Sequence, residues 1–164
     1  MNAFTSEGRD RVRSRVVAAA RADARVVAAA LVGSLAHGGG DAWSDVDLTF
    51  AVAEGVEPLG VLGSFEELLA REFDAAVLFD VPFGTTTYRV FLLPGALQVD
   101  LSVTPCAAFR PLGPRFELLF GSAAEADPVA APELRPLVGG VHHLLRAGRC
   151  DEDGRGSPCT GSTS

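Results

Sequence analysis

The spacing of apolar residues divides the chain into helix-like and strand-like stretches. From residue 5 to about residue 25, Val12, Val16, Val17, Ala20 and Ala24 recur at helical intervals, and Thr5 or Ser6 can cap the start. "RVVAAALVG", residues 25–33, is instead an unbroken apolar run closed by glycine, which predicts a strand over Val26–Val32 buried on both faces. In "SDVDLTFAVAEG" the pattern becomes strict alternation. Val46, Leu48, Phe50 and Val52 fall on one side of an extended chain, and Asp45, Asp47 and Thr49 on the other. Helical spacing returns in "PLGVLGSFEELLAREF" at Leu62, Phe65, Leu68, Leu69 and Phe73, with Ser64 and Glu67 placed as a capping box over its later part.

Three further strands are predicted in "AAVLFDVPF", "TTTYRVFLLPG" and "LQVDLSVTP", separated by turn signals at Phe83-Gly84 and Pro94-Gly95 that suit antiparallel hairpins. Residues 105–114 read as a proline-rich excursion, and "RFELLFG" as either a short helix or an extended segment. A last helix is expected from residue 132 to about 149, and "DEDGRGSPCTGSTS" has too little apolar content to hold a fold. The pattern is that of one α+β domain over residues 1–149 with a disordered tail over 150–164.

Composition narrows the chemistry. With 164 residues, nearly half of them hydrophobic, the chain can build one core. No apolar run approaches the ~20 residues of a membrane span, and no apolar segment follows the first charges as in a signal peptide. A cytoplasmic protein with no membrane partner is expected. A net charge of −7 argues against nucleic acid; Arg9, Arg11, Arg13, Arg15, Arg21 and Arg25 interleave with Glu7, Asp10 and Asp23 as on a solvated helix face. All 14 basic residues are arginine, which excludes chemistry that needs a lysine amine. Cys106, Cys150 and Cys159 lack paired spacing and read as free thiols.

The sharpest feature is "GSLAHGGGDAWSDVDLTF". Asp45 and Asp47 lie on one face of a strand about 7 Å apart at the backbone. Two carboxylates that close repel unless a cation sits between them. Hard oxygen ligands suit magnesium, which takes one or two protein carboxylates and completes its shell with substrate phosphates. Asp100 occurs in a similar alternation, Gln98, Asp100 and Ser102 opposing Val99, Leu101 and Val103. Should the two strands be neighbours, three carboxylates would meet on one face, as a two-metal phosphoryl-transfer site requires. Gly33 would let the backbone approach closely, leaving Ser34 and the following amides for phosphate oxygens.

These residues resemble the nucleotidyltransferase superfamily of polymerase beta type, whose small-molecule members carry a G-S-x-A-R-G-x-A-x-x-x-S-D-x-D-L pattern. Gly33, Ser34, Ala36, Gly38, Ser44, Asp45, Asp47 and Leu48 match it without a gap. The likeness covers about residues 26–102 and is nearest to minimal and antibiotic-modifying members. It implies a mixed β-sheet of about five strands with flanking helices, and Asp45, Asp47 and Asp100 as catalytic and metal-holding residues for two magnesium ions. Gly33, Ser34 and Ser44 would bind the nucleotide. A nucleoside triphosphate would give its nucleoside monophosphate to a hydroxyl of a small molecule, such as an antibiotic, or of a protein. Two positions depart from the pattern, His37 for the usual arginine and Gly40 for an alanine.

Antibiotic-type members usually add a helical acceptor domain, whose absence is expected here. One permitted encoding of Cys159 to Ser164 reads Leu-His-Trp-Ile-Asp-Glu in another frame, so a frameshifted ending is a further expectation. "DVDLT" also fits the nucleophile motif of haloacid-dehalogenase-like phosphatases, but it follows "GGGDAWS" rather than an apolar strand, and the lysine those enzymes need is missing. "GSLAHGG" has glycine where a phosphate-binding P-loop has lysine. The rival from another class is a catalytically weak or inactive binding module, such as an antitoxin-type partner of a helical toxin. An exposed apolar surface around "FRPLGPRFELLF" would favour such a partner or a homodimer. His37, His142 and His143 read as surface or structural, Trp43 and Tyr88 as packing residues, and Arg89 and Arg115 as within reach of phosphates.

Overall fold

The computed structural model describes residues 4–125. The expected helix over 132–149, the tail, His142, His143, Cys150 and Cys159 lie outside the described residues. Along the chain run α1 (Ser6–Ala22), β1 (Val26–Val32), a 3-10 turn (Gly33–Gly38), β2 (Val46–Val52), α2 (Pro58–Phe73), β3 (Ala76–Phe83), β4 (Thr86–Leu93), β5 (Leu97–Pro105), a second 3-10 turn (Cys106–Ala108) and β6 (Phe116–Phe120). The strands form a six-stranded mixed sheet in the order β3-β4-β5-β2-β1-β6. Among the described residues only the central β2 and β5 are parallel; the other neighbours are antiparallel. The architecture is therefore α+β.

Thr5 caps α1 as expected, its hydroxyl accepting the Gly8 N–H at 3.0 Å. The helix stops at Ala22, short of residue 25, because the Asp23 carboxylate takes both the Arg25 N–H at 3.0 Å and the Arg25 guanidinium at 2.7 Å in an extended turn. Its buried stripe is Arg9, Val12, Val16 and Ala20, so Arg9 does not belong to the solvated face on which its neighbours lie. Pro58 opens α2, where its missing N–H costs nothing. Ser64 and Glu67 form no capping box there. Ser64 is a mid-helix residue whose hydroxyl donates to the Gly60 carbonyl at 3.2 Å and accepts from Arg25 at 2.8 Å.

Both helices cover one face of the sheet. Val46, Leu48, Phe50 and Val52 of β2 and Leu97, Val99, Leu101 and Val103 of β5 meet Val16, Leu62, Phe65 and Leu69 there, and Phe50 stacks on Phe65 with ring centroids 4.8 Å apart. On the opposite face Ala28, Ala30 and Ala51 pack under Phe109, with Phe116 beside it. β1 is thus buried on both faces over most of its length, except at Val27, which is 42% exposed. The sixth strand beyond the expected five is "FELLF". It is extended because β1 offers it a hydrogen-bonding edge, pairing Leu31 with Glu117 and Val32 with Phe116. No helix among the described residues is long and apolar enough to cross a membrane.

Candidate functional site

Register fixes the centre of the site. β2 and β5 run parallel with Val46 opposite Val99, Asp47 opposite Asp100 and Thr49 opposite Ser102. Neighbouring strands lie about 4.8 Å apart and register partners point to the same face, so Asp47 and Asp100 stand side by side. Their face is the one opposite the helices, since Val46, Leu48, Val99 and Leu101 fill the helix side. Like charges directly across a sheet are unfavourable. Gln98, two residues before Asp100, offsets this by donating its side-chain amide to both Asp100 oxygens at 2.8 and 2.9 Å.

Asp45 enters the same row one residue before β2. It is 7% exposed, and its Oδ1 accepts the backbone N–H of Gln98 at 3.3 Å. That bond adds a side-chain tie between the entry of β2 and β5, next to the position where Asp47 stands against Asp100. The structure therefore gathers the three aspartates at one end of one strand pair, with Asp47 and Asp100 abreast and Asp45 turned toward backbone. Among the described residues no group of three or more His, Cys, Asp or Glu side chains is already spaced to hold a metal ion.

Gly33 lies directly behind Asp47. Its φ is +73°, a left-handed value that favours glycine, and a Cβ there would overlap the Asp47 carboxylate. The glycine thus admits the acidic side chain to its place. The loop that follows doubles back on itself. At Gly40, with φ +91°, a Cβ would fall 2.7 Å from Leu35 Cδ2 and 2.9 Å from Ser44 Oγ. His37 is exposed and left-handed, with φ +57°, and its backbone N–H donates to Glu117 of β6 at 2.5 Å. Ser34 is half-buried in the first 3-10 turn, whereas Ser44 is buried and its hydroxyl is engaged within the loop. It accepts the Asp41 N–H at 2.9 Å and donates to Asp41 Oδ1 at 3.0 Å.

Tyr88 is in register with Ser102 and so shares the face of the aspartates; its phenol pKa is pushed up by burial. Trp43 is 54% exposed and meets Phe4 edge-on at 6.3 Å. Arg89 lies on the other face, where its guanidinium binds Asp80 at 2.7 Å and Glu66 at 2.8 Å. Cys106 is an exposed free thiol. Two participants are absent from the motif. Gln98 shares the alternating face of Asp100, which was the signal for it, and Arg9 continues the helical stripe of Val12, Val16 and Ala20.

No protein-family model matches this chain, and no curated protein matches it.

Proposed function

We propose that the chain is a magnesium-dependent nucleotidyltransferase. The observation that carries the reading is the in-register placement of Asp47 and Asp100 on neighbouring parallel strands, with Gly33 making room for the Asp47 carboxylate. Carboxylate oxygens are the donors magnesium prefers, and the ion commonly takes only one or two of them with substrate phosphates completing its shell. Asp45 and Asp47 would hold such an ion, and Asp100, in register with Asp47, would face the acceptor. Bound there, the metal would neutralise charge on the phosphates and on the attacking and leaving oxygens.

The chain's own residues would do the rest. Gly33 and Ser34 begin a turn whose backbone amides suit the terminal phosphates of a nucleoside triphosphate, and Ser44 keeps the loop behind it closed. An acceptor hydroxyl, of a small molecule or a protein, loses its proton to Asp100 as its oxygen bonds to the α-phosphorus. The bond from that phosphorus to the bridging oxygen breaks, and pyrophosphate leaves with the electron pair. Rigid central strands hold the reacting groups in line, and positioning of this kind supplies much of the rate in phosphoryl transfer.

A second reading is a module that binds nucleotide without turnover, and it is favoured by Asp45, whose carboxylate is engaged by the Gln98 backbone. Titration calorimetry of the protein with each nucleoside triphosphate, with and without magnesium, tests both. Magnesium-dependent binding that Asp47→Asn abolishes, with an unchanged circular dichroism spectrum, is expected. Release of pyrophosphate with an acceptor then separates transferase from module, and no binding in the unaltered protein would overturn both.

A further inference from the structure

The loop at residues 41–44 leads straight into Asp45 and Asp47, and it is closed by side chains. Ser44 and Asp41 exchange the two hydrogen bonds described above, the Trp43 N–H donates to Asp41 Oδ1 at 3.0 Å, and the Ser44 N–H reaches the Asp41 carbonyl at 3.2 Å. These bonds are local. Side chains from outside the loop tie it to the domain: Phe4 meets Trp43 edge-on, and a buried arginine reaches it from α1. Arg9 of α1 has only 9% of its side chain exposed, and its Nη1 donates to the Asp41 carbonyl at 2.6 Å and, more weakly, to the Ser44 carbonyl at 3.5 Å. Its Nε faces Asp10, half-exposed, at 3.4 Å.

Burying a guanidinium is costly unless its hydrogen bonds are made, and here those bonds go to the two ends of one loop. A guanidinium presents several donors in a rigid fork, so one nitrogen can hold both carbonyls while the group stays fixed by Asp10. The residue after Ser44 is Asp45, whose carboxylate accepts the Gln98 N–H of β5 two residues before Asp100. The chain of contacts therefore runs from Arg9 to the loop, from the loop to Asp45, and from Asp45 to the Asp47–Asp100 pair. We propose that Arg9 is a positioning residue for the aspartate site, locking the loop that delivers Asp45 and Asp47. The inference rests on the reading of that site as a magnesium-nucleotide centre.

The protein carries a built-in reporter, because Trp43 within this loop is its sole tryptophan. Arg9→Met and Arg9→Lys are to be compared with the unaltered full-length chain by acrylamide quenching and anisotropy of Trp43. Magnesium titrations in the presence of ATP, GTP, CTP or UTP follow, with circular dichroism as the control for folding. For R9M the expectation is a more readily quenched, more mobile Trp43 and a half-saturating magnesium concentration raised about 10-fold or more, the usual effect of losing a residue that supports metal ligands. R9K, which keeps the charge but not the fork, is expected between R9M and the unaltered protein.

A mobile Trp43 with unchanged magnesium dependence would reduce Arg9 to a structural residue and overturn the proposal alone. Unchanged Trp43 and unchanged magnesium dependence in folded R9M would overturn it as well. No magnesium-dependent nucleotide binding by the unaltered protein would overturn the reading of the site and the inference with it. Where R9M does not fold, R9K decides: a rise in half-saturating magnesium supports the proposal, and the unaltered value overturns it.

Discussion

The edge strand β3 is no less apolar in sequence than the central strands β2 and β5, yet the domain uses them in opposite ways. Along β5 every residue from Leu97 to Thr104 is buried except Asp100, which is half-buried. Along β3 every residue is exposed except Val81, and Val77, Leu78, Phe79 and Phe83 are each between 36% and 40% exposed. The difference is one of neighbours. β5 has a strand on each side and helices above it, whereas β3, among the described residues, has only β4 beside it. A strand pattern thus marks the extended conformation, while burial depends on what packs against it. The central pair is held by apolar packing. The edge strand is held by its pairing with β4 and by charge, with Arg89 of β4 bridging Asp80 of β3 and Glu66 of α2.

The comparison is tested most strongly by truncating one phenylalanine in each region. Phe50 is 0% exposed and stacked on Phe65, so Phe50→Ala should cost about 3–5 kcal/mol in denaturant unfolding. Phe79 is 36% exposed, and Phe79→Ala should cost less, about 1–2 kcal/mol. Equal losses at the two positions would abolish the distinction.

Next in size is Gly33→Ala, which acts on the centre alone. A left-handed alanine costs about 1–2 kcal/mol, and the new methyl group must push the Asp47 carboxylate aside. Calorimetry should show magnesium-dependent nucleotide binding lost while the thermal midpoint falls by only a few degrees. Binding that survives would break the link between Gly33 and the aspartate.

The smallest effect concerns the edge and depends on pH. Hydrogen bonding to Arg89 holds the Asp80 pKa below its ordinary value of 3.8. A lowered folded-state pKa means that the carboxylate stabilises the domain above its unfolded pKa, and that this contribution disappears as pH falls through the folded value. Thermal midpoints of the unaltered protein and Asp80→Asn should therefore differ slightly near neutrality and converge in acid below the ordinary carboxylate range. A gap that persists in acid would mean that Asp80 acts through shape rather than charge.

Several features of the site were legible from local pattern. Alternation placed Asp45 and Asp47 on the face opposite Val46 and Leu48, and did the same for Asp100 against Val99 and Leu101. The glycine after β1 marked a close approach, which proved to be to Asp47 itself. Less was legible where the partner is remote in sequence. "RFELLF" left helix and strand open because six residues of mixed spacing suit either, and the edge of β1 decided for a strand. Ser64 and Glu67 had the spacing of a capping box, but Pro58 starts the helix earlier and leaves Ser64 in its interior. Arg9 read as one of several solvated arginines, although its spacing from Val12 and Val16 put it on the buried stripe.

The chain by itself determined which side chains share a face within each element, because that follows from the two-residue repeat of a strand and the 3.6-residue repeat of a helix. Only the tertiary structure decided that β5 lies parallel to β2 with Asp100 beside Asp47, that β3 is left at an edge, and that Arg9 reaches the loop before Asp45. Each of these joins residues far apart along the chain. Such contacts are chosen by the hydrogen-bonding edges and apolar faces that the whole fold makes available, and no local period contains that information.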